Sequence, residues 1–493
     1  MFADLFESIL VPENKIYQPP SNLKTPAESL RLAGIFLSSY RQSLPPIMDS
    51  SLHQGTFLNT FTGIARSADV DRNAVECGDE QWTYGDLDNV STGIALDLHE
   101  KYGSKPVVAI VSENHPFVLA TILATWKLAG IVAPLDHNVP KDIMEKMLSN
   151  IGPTVVVVPS SQGNVQKIIK DISLSCLPFD PKDSTITALM QKYIEQSPEL
   201  SSEAFPLPTP NDIALYLHTS SASSVANVKC VPISHRSILA GSQSRLSWWT
   251  RTWPQQNFEH LRVLGWSPWS HIIGLSHDLG AAMLLTKGTY IFAMLPSAYG
   301  SKDSNKASRY LDVCGQLLET AMEKNPTAFA GVPWVLEGFM RTCKQEVDGQ
   351  RRQRIQDAIQ ALKIFGSGGA ATNDECIEWT NQLGIPLVLD IGMTELGGPL
   401  FHSTPNGAEG WHRKDCLLAD ASLRLVNEDG TDSTSEGELI IKSSFITKGY
   451  LQYDSSSFTV EGDGVVSFRT GDIYGYVARN DSRGGVARKI TFR

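Results

Sequence analysis

The sequence is poor in the features that mark disulfide-framed, membrane-spanning or polynucleotide-binding proteins. Its seven cysteines are odd in number, scattered and free of CxxC spacing, which predicts reduced thiols and argues against a disulfide frame or a zinc site built on Cys pairs. No apolar run approaches the roughly 20 residues that cross a bilayer. The acidic start MFADLFESIL has neither the basic leader nor the small-residue cleavage site of a secretory signal. Positive charge is in deficit: 42 Lys and Arg against 53 Asp and Glu leave a net charge of -11. Polynucleotides and anionic membranes require clustered cations, so neither is expected as a partner. Internal repeats and long low-complexity tracts are missing too. These absences predict a soluble, cytoplasmic, globular protein of roughly two to four compact units, and they set no oligomeric state.

What is present alternates between strand and helix. Residues 1–50 are rich in Pro and Ser, with Pro19-Pro20 and Pro45-Pro46 as breakers, and predict an N-terminal extension. Within 51–210, the apolar runs Val107–Val111, Ile131–Leu135 and Val155–Val158 are spaced by helical patterns over Leu87–Leu98, Pro116–Leu128 and Lys141–Leu148. Continuous apolar strands between helices predict a parallel sheet covered on both faces. Residues 160–210 lack this pattern and are expected to form a loose linker or variable insertion. A second α/β region is expected over 211–410, with strands at Val263–Trp266, Tyr290–Phe292, Ala328–Val332 and Leu387–Leu389. From 411 to 478 the texture changes to short strands and turns, such as Leu423–Val426 and Gly437–Ile441, which predicts a small β-rich unit.

Four segments carry candidate chemistry. Thr219-Ser220-Ser221, with Lys229 downstream, offers hydroxyls, amides and a cation to phosphate oxygens; taken alone it also reads as a polar surface loop. Gly366-Ser367-Gly368-Gly369-Ala370 ends an apolar strand in small residues against which a flat ring can lie; it also reads as a tight turn into a helix. Thr394-Glu395 follows the strand ending in Asp390-Ile391-Gly392-Met393, where ligands collect in open α/β sheets. Glu395 offers Mg²⁺ a hard oxygen ligand, and the same pair also reads as a helix N-cap. Thr470-Gly471-Asp472 places a carboxylate on a turn, able to accept bonds from ribose hydroxyls.

In this order the four segments resemble the adenylate-forming superfamily of acyl-CoA synthetases, luciferases and peptide-synthetase adenylation domains. Thr219 to Lys229 resembles its phosphate loop, Gly392–Glu395 its YGxTE, Gly437-Glu438-Leu439 with Lys448-Gly449-Tyr450-Leu451 its GELxxxGxxxxxGYL, and Thr470–Asp472 its ribose-binding TGD. Leu128-Ala129-Gly130 through Asp136 resembles an early core segment. The run Leu217–Arg236 and the stretch Gly265–His271 are most similar to adenylation domains of fungal peptide-synthetase-like carboxylate reductases.

The resemblance implies two stacked doubly wound α/β subdomains plus the β-rich one, with ATP and acid bound in 211–410 and a hinge stub at 479–493. It implies catalytic roles for Thr219, Ser220, Lys229, Thr394 and Glu395, the last as Mg²⁺ ligand. Nucleotide contacts fall on Ser221, Gly368, Gly369, Ala370, Asp390, Ile391, Gly392, Met393, Asp472 and Arg479. The acid pocket falls on Trp269, His271, Ile272, Gly331, Val332, Gly366, Ser367 and Gly368. Partners implied are a small-molecule carboxylic acid and an acyl acceptor, CoA or a carrier domain.

The departures are specific. Ser221 and Ser224 stand where the family has glycine, Ile391 replaces its tyrosine, and Arg479-Asn480-Asp481 arrives early for the hinge. A lid subdomain with a catalytic lysine is expected to be absent before Arg493. No Asp lies within Trp269–His271 to pair with an ammonium, and Asp278 is further along, so an aryl or aliphatic acid without an α-amino group is expected. A catalytically degenerate binding module and an amino-acid-activating domain are the alternatives.

Overall fold

The computed structural model describes residues 55–182, 184–194, 207–219, 228–293, 306–403, 415–416, 420–433, 435–462, 464–480 and 486–492. Helix α1 (Phe57–Ala65) leads into the hairpin of β1 (Asn73–Cys77) and β2 (Glu80–Thr83), then α2 (Tyr84–Tyr102). A capping box starts α2: the Thr83 side chain accepts from the Asp86 amide while the Asp86 carboxylate accepts from the Thr83 amide. This is why β2 stops at Thr83 and the helix begins at Tyr84.

Next come β3 (Val107–Val111), α3 (Pro116–Lys127), β4 (Ile131–Leu135), α4 (Lys141–Ile151), β5 (Val155–Pro159), α5 (Gly163–Asp171), β6 (Cys176–Phe179), α6 (Ile186–Ile194), β7 (Ile213–His218) and β8 (Cys230–Ser234). Their strands form a six-stranded sheet in the order β6-β5-β3-β4-β7-β8, parallel except for β8. The stretch expected to be a linker therefore supplies an edge strand and two helices. Helix α6 docks on α2 through Tyr193, whose hydroxyl donates to Asp97 at 3.1 Å. Gly93 makes room for it, since a Cβ there would stand 2.6 Å from the Tyr193 ring.

The chain continues through α7 (His235–Thr252), β9 (Arg262–Gly265), a π-helix (Gly274–Leu284), β10 (Thr289–Phe292), α8 (Lys306–Lys324), β11 (Ala328–Gly331), α9 (Pro333–Gln345), α10 (Gly349–Gln360), β12 (Ile364–Gly368), α11 (Asp374–Gln382), β13 (Leu387–Met393), β14 (Gly398–Ser403) and β15 (Asp415–Cys416). The second sheet runs β15-β14-β13-β12-β11-β9-β10-β1-β2. The expected division at residue 210 is not a sheet boundary: β1 and β2 complete the second sheet, while β7 and β8 complete the first. One core joins both, with Val108 and Leu215 from the first sheet and Val263 and Tyr290 from the second. Buried hydrogen bonds pin it, from Trp126 Nε1 to the Ala214 carbonyl at 2.9 Å and from the Tyr84 hydroxyl to the Gly288 carbonyl at 2.8 Å.

The β-rich unit is antiparallel: β16 (Ser422–Val426), β17 (Glu436–Ser443), β18 (Phe458–Val460), β19 (Val466–Asn480) and β20 (Val486–Phe492), ordered β16-β17-β19-β18 with β20 on β19. Strand β19 runs through the expected hinge, so Arg479 is a strand residue opposite Ala487. No helix among the described residues is long and apolar enough to cross a membrane.

Candidate active site

The expected phosphate-binding residues begin where the first sheet ends. The Thr219 amide donates to the Lys229 carbonyl at 3.1 Å, holding these two residues together across the β7–β8 connection. Ser220, Ser221 and Ser224 lie outside the described residues. The segment after β17 crosses this point: the Leu451 amide donates to the Cys230 carbonyl at 2.8 Å, the Thr447 amide to the Glu395 carbonyl at 3.0 Å, and the Thr447 hydroxyl to the Pro232 carbonyl at 2.7 Å.

Tyr450 is thereby set between two expected catalytic residues. Its hydroxyl donates to Glu395 Oε1 at 2.8 Å, and the Lys229 ammonium lies 4.9 Å from its ring centroid and 5.4 Å from that of Tyr453. Burial and the Glu395 charge raise the Tyr450 pKa, so its hydroxyl stays a donor. Beside this array lies a cleft of about 410 Å³ whose lining includes Lys229, Glu438, Tyr450, Arg469, Thr470 and Gly471. Residues from motifs more than two hundred positions apart thus face one space. Arg469 is ion-paired to Glu438 within it.

Thr470-Gly471-Asp472 is a β-bulge rather than a turn. The β17–β19 register shifts between Glu438 and Ile440, and Gly471 takes φ 74°, a conformation that glycine adopts without strain. The Thr470 hydroxyl donates to the Leu439 carbonyl at 2.9 Å and the Gly471 amide to Glu438 Oε1 at 3.2 Å. Asp472 follows, half-buried, with its carboxyl pKa raised by burial.

A second group of expected residues lies at the carboxyl ends of β12 and β13. Gly369, Ala370, Ile391 and Gly392 are exposed there, with Met393 and Thr394 half-buried and Glu395 buried in the short 3₁₀ turn Thr394–Leu396. Gly368 abuts β13 closely, since a Cβ would stand 2.9 Å from the Asp390 carbonyl. Asp390 itself departs from expectation. Its carboxylate is 5 % exposed and paired with Arg245 Nη1 at 2.5 Å and with His402, so it turns into the interior instead of toward a nucleotide. Burial alone would raise its pKa, but the Arg245 and His402 charges hold it well below the usual range.

The expected acid-pocket residues are divided. Trp269 belongs to the core, packed on Tyr290 and Phe292, while Ile272 is buried and His271 exposed. Gly331, Gly366, Ser367 and Gly368 are buried on neighbouring strands β11 and β12, and Val332 is half-buried. The Ser367 hydroxyl shares a hydrogen bond with Thr372 Oγ1 at 3.1 Å. Tyr450, the residue that joins Lys229 to Glu395, lies in the motif Gly449-Tyr450-Leu451, whereas no sequence pattern points to Arg245 or His402.

Of the carboxylates near Lys229, Glu438 is ion-paired to Arg469, and Glu395 is the residue expected to hold Mg²⁺. No group of three or more His, Cys, Asp or Glu suited to a metal occurs among the described residues. That donor set fits an ion completing its shell with phosphate oxygens and water.

A family model described as AMP-binding enzyme matches residues 64–451. A hispidin synthase of Neonothopanus nambi is 38 % identical over 431 residues, covering 85 % of this chain and 25 % of that protein. A protein of Humulus lupulus named "Probable CoA ligase CCL8" is 25 % identical over 397 residues, covering 76 % of this chain and 60 % of its own length. This chain thus spans a quarter of the first relative and under two thirds of the second. In fold it is similar to the N-terminal subdomain of NpsA from Klebsiella oxytoca, solved with 3-hydroxybenzoyl-AMSN. The TM-score is 0.63 at 17 % identity, over 90 % of this chain and 99 % of that one.

Proposed function

The chain belongs to the AMP-binding enzyme family, and from that premise we propose that it activates a carboxylic acid with ATP. The acid's carboxylate oxygen attacks the α-phosphorus, the bond to the bridging oxygen breaks, and acyl-AMP and pyrophosphate result. The nucleophile is already ionised, so the site needs no general base. It must align two anions and neutralise charge on the phosphates.

The observation that carries this reading is the convergence of Lys229, Tyr450 and Glu395 beside the cleft. Lys229 and the Thr219 hydroxyl would meet phosphate oxygens, with Ser220, Ser221 and Thr394 adding donors. Glu395, oriented by Tyr450, would hold Mg²⁺, whose charge offsets that of the phosphates. The exposed ends of β12 and β13, with Gly369, Ala370, Ile391 and Gly392, would seat the adenine, and Asp472 the ribose. We assign the acid to the region of Gly331, Val332 and Gly366–Gly368, and the acceptor to a thiol on CoA or a carrier domain. An acid without an α-amino group, aryl or aliphatic, is favoured by the absence of Asp from 269–271. Reductive release rests on the sequence likeness of Leu217–Arg236 and Gly265–His271 alone.

Pyrophosphate exchange against a panel of carboxylic acids tests the proposal. Glu395→Gln should lower the exchange rate by about 2 to 4 kcal/mol of barrier, as for other lost electrostatic stabilisers. Unchanged exchange in that variant would remove Glu395 from the reaction. The serines in place of glycine at 221 and 224 favour a second reading, binding without turnover. ATP binding with no exchange for any acid would establish that one.

A further inference from the structure

A buried polar cluster adjoins the strand assigned to the acid, and the reaction as proposed does not use it. The π-helix carries Ser276, His277 and Asp278, all fully buried. π-Helical backbone is rare and recurs at functional sites. His277 Nδ1 lies 2.7 Å from Asp278 Oδ1. Burial raises the Asp278 pKa well above its ordinary value; with the Nδ1 proton donated to Asp278 Oδ1, the neutral imidazole presents Nε2 as an acceptor. Burial, and next the Arg245 charge, push the His277 pKa well below its ordinary value, so the ring is neutral.

His277 Nε2 has no hydrogen-bond partner among the described residues, nor do the Ser276 hydroxyl and Arg245 Nε, although all three atoms are buried. Native interiors rarely leave such atoms unpaired without a water or ligand to meet them. The orphaned Nε2 abuts β12 at Gly366: a Cβ on Gly366 would stand 3.5 Å from it and 3.3 Å from the Ala330 Cβ. Small residues thus keep that side of the imidazole unfilled by side chain. The Trp249 ring meets His277 edge-on at 5.2 Å between centroids, so the surround is aromatic as well as polar.

We propose that the acid-binding region ends on a polar floor at His277, and that its substrate is an aryl acid bearing a ring hydroxyl that donates to His277 Nε2. This rests on the adenylation reading and specifies its substrate class. A hydroxyl supplies the donor that Nε2 lacks, whereas an unsubstituted ring leaves the imidazole Nε2 unpaired and dry. Sites built to hydrogen-bond a substrate hydroxyl reject the analogue lacking it more strongly than apolar pockets reject a missing methylene.

The test compares benzoic and 3-phenylpropanoic acids with their ring-hydroxylated counterparts in pyrophosphate exchange, read as kcat/KM. The wild-type protein should prefer at least one hydroxylated acid over its unsubstituted parent by tenfold or more. His277→Leu should bring that ratio to about one, and His277→Gln, which restores an acceptor, should recover part of it. Thermal melts check that the variants are folded. Should His277→Leu fail to fold, the Gln variant and the wild-type ratio decide alone. Exchange with both members of every pair at equal efficiency would overturn the polar floor and leave adenylation standing. Preference for the hydroxyl that persists in His277→Leu would overturn the role of His277. No exchange with any acid would overturn adenylation and this inference together.

Discussion

Tyr450 shows how a side chain of no intrinsic reactivity can govern a site. Its ring faces the Lys229 ammonium and its hydroxyl faces the Glu395 carboxylate, so it holds two opposite charges apart on either side of one phenol. Tyr450→Phe keeps the ring and removes the hydroxyl. A hydrogen bond to a charged group contributes about 1.5 to 3 kcal/mol, so exchange kcat/KM should fall roughly 10- to 100-fold with little change in melting temperature. An unaltered kcat/KM would mean that Glu395 is positioned without it. Lys229, Glu395 and Thr470 were legible in the sequence because each sits in a motif of fixed spacing. Asp390 was not. Strand position told where it lies, and its partners told which way it faces. Along β13 the aspartate points inward and Ile391 outward, with Ile391 36 % exposed. This inversion of the usual pattern is sustained by Arg245, which is 145 positions away and beyond any local reading.

At the scale of elements, two helix starts contribute to the pH response, together with His218 and the buried His277, whose pKa values are also pushed down by burial. His115 caps α3 by accepting the Phe117 amide on Nδ1 at 3.1 Å, which requires an unprotonated nitrogen. His235 opens α7 fully buried, its ring edge-on to Trp126. Burial pushes both pKa values down to about 4 from an ordinary 6.5. Both rings are neutral in the folded chain and take up protons near pH 6.5 when unfolded, so their contribution is present above about 6.5 and is lost as pH falls toward 4. Urea midpoints should be level above pH 7 and decline across that window. His115→Asn, a cap that does not titrate, should make the decline shallower, and an identical slope would exclude His115 as a contributor. The central strands could be read because buried parallel strands are apolar throughout. The π-helix could not, since GLSHDLGAAML places Ser, His and Asp amid apolar residues and follows neither the 3.6 nor the 2-residue period. The elements within 160–194 were missed for a related reason: β6 is an exposed edge with burial on one residue.

The whole molecule is stitched by a chain that crosses from one sheet to the other and back. Because β1 pairs with β10 and β4 with β7, a fragment ending at residue 210 would lack the partners of both its first hairpin and its first sheet. Such a fragment should show no cooperative thermal transition by circular dichroism. A sharp, reversible melt would make residues 51–210 a folding unit after all. The same stitching acts on the nascent chain. Val75 takes its place beside Tyr290, about 200 residues later, which is roughly 10 to 40 s of synthesis at ~5–20 residues per second. Through that interval the β1–β2 hairpin, with Val75 and Trp82 destined for the core, leaves the ribosome as an unpaired apolar edge, and its survival depends on what shields it there.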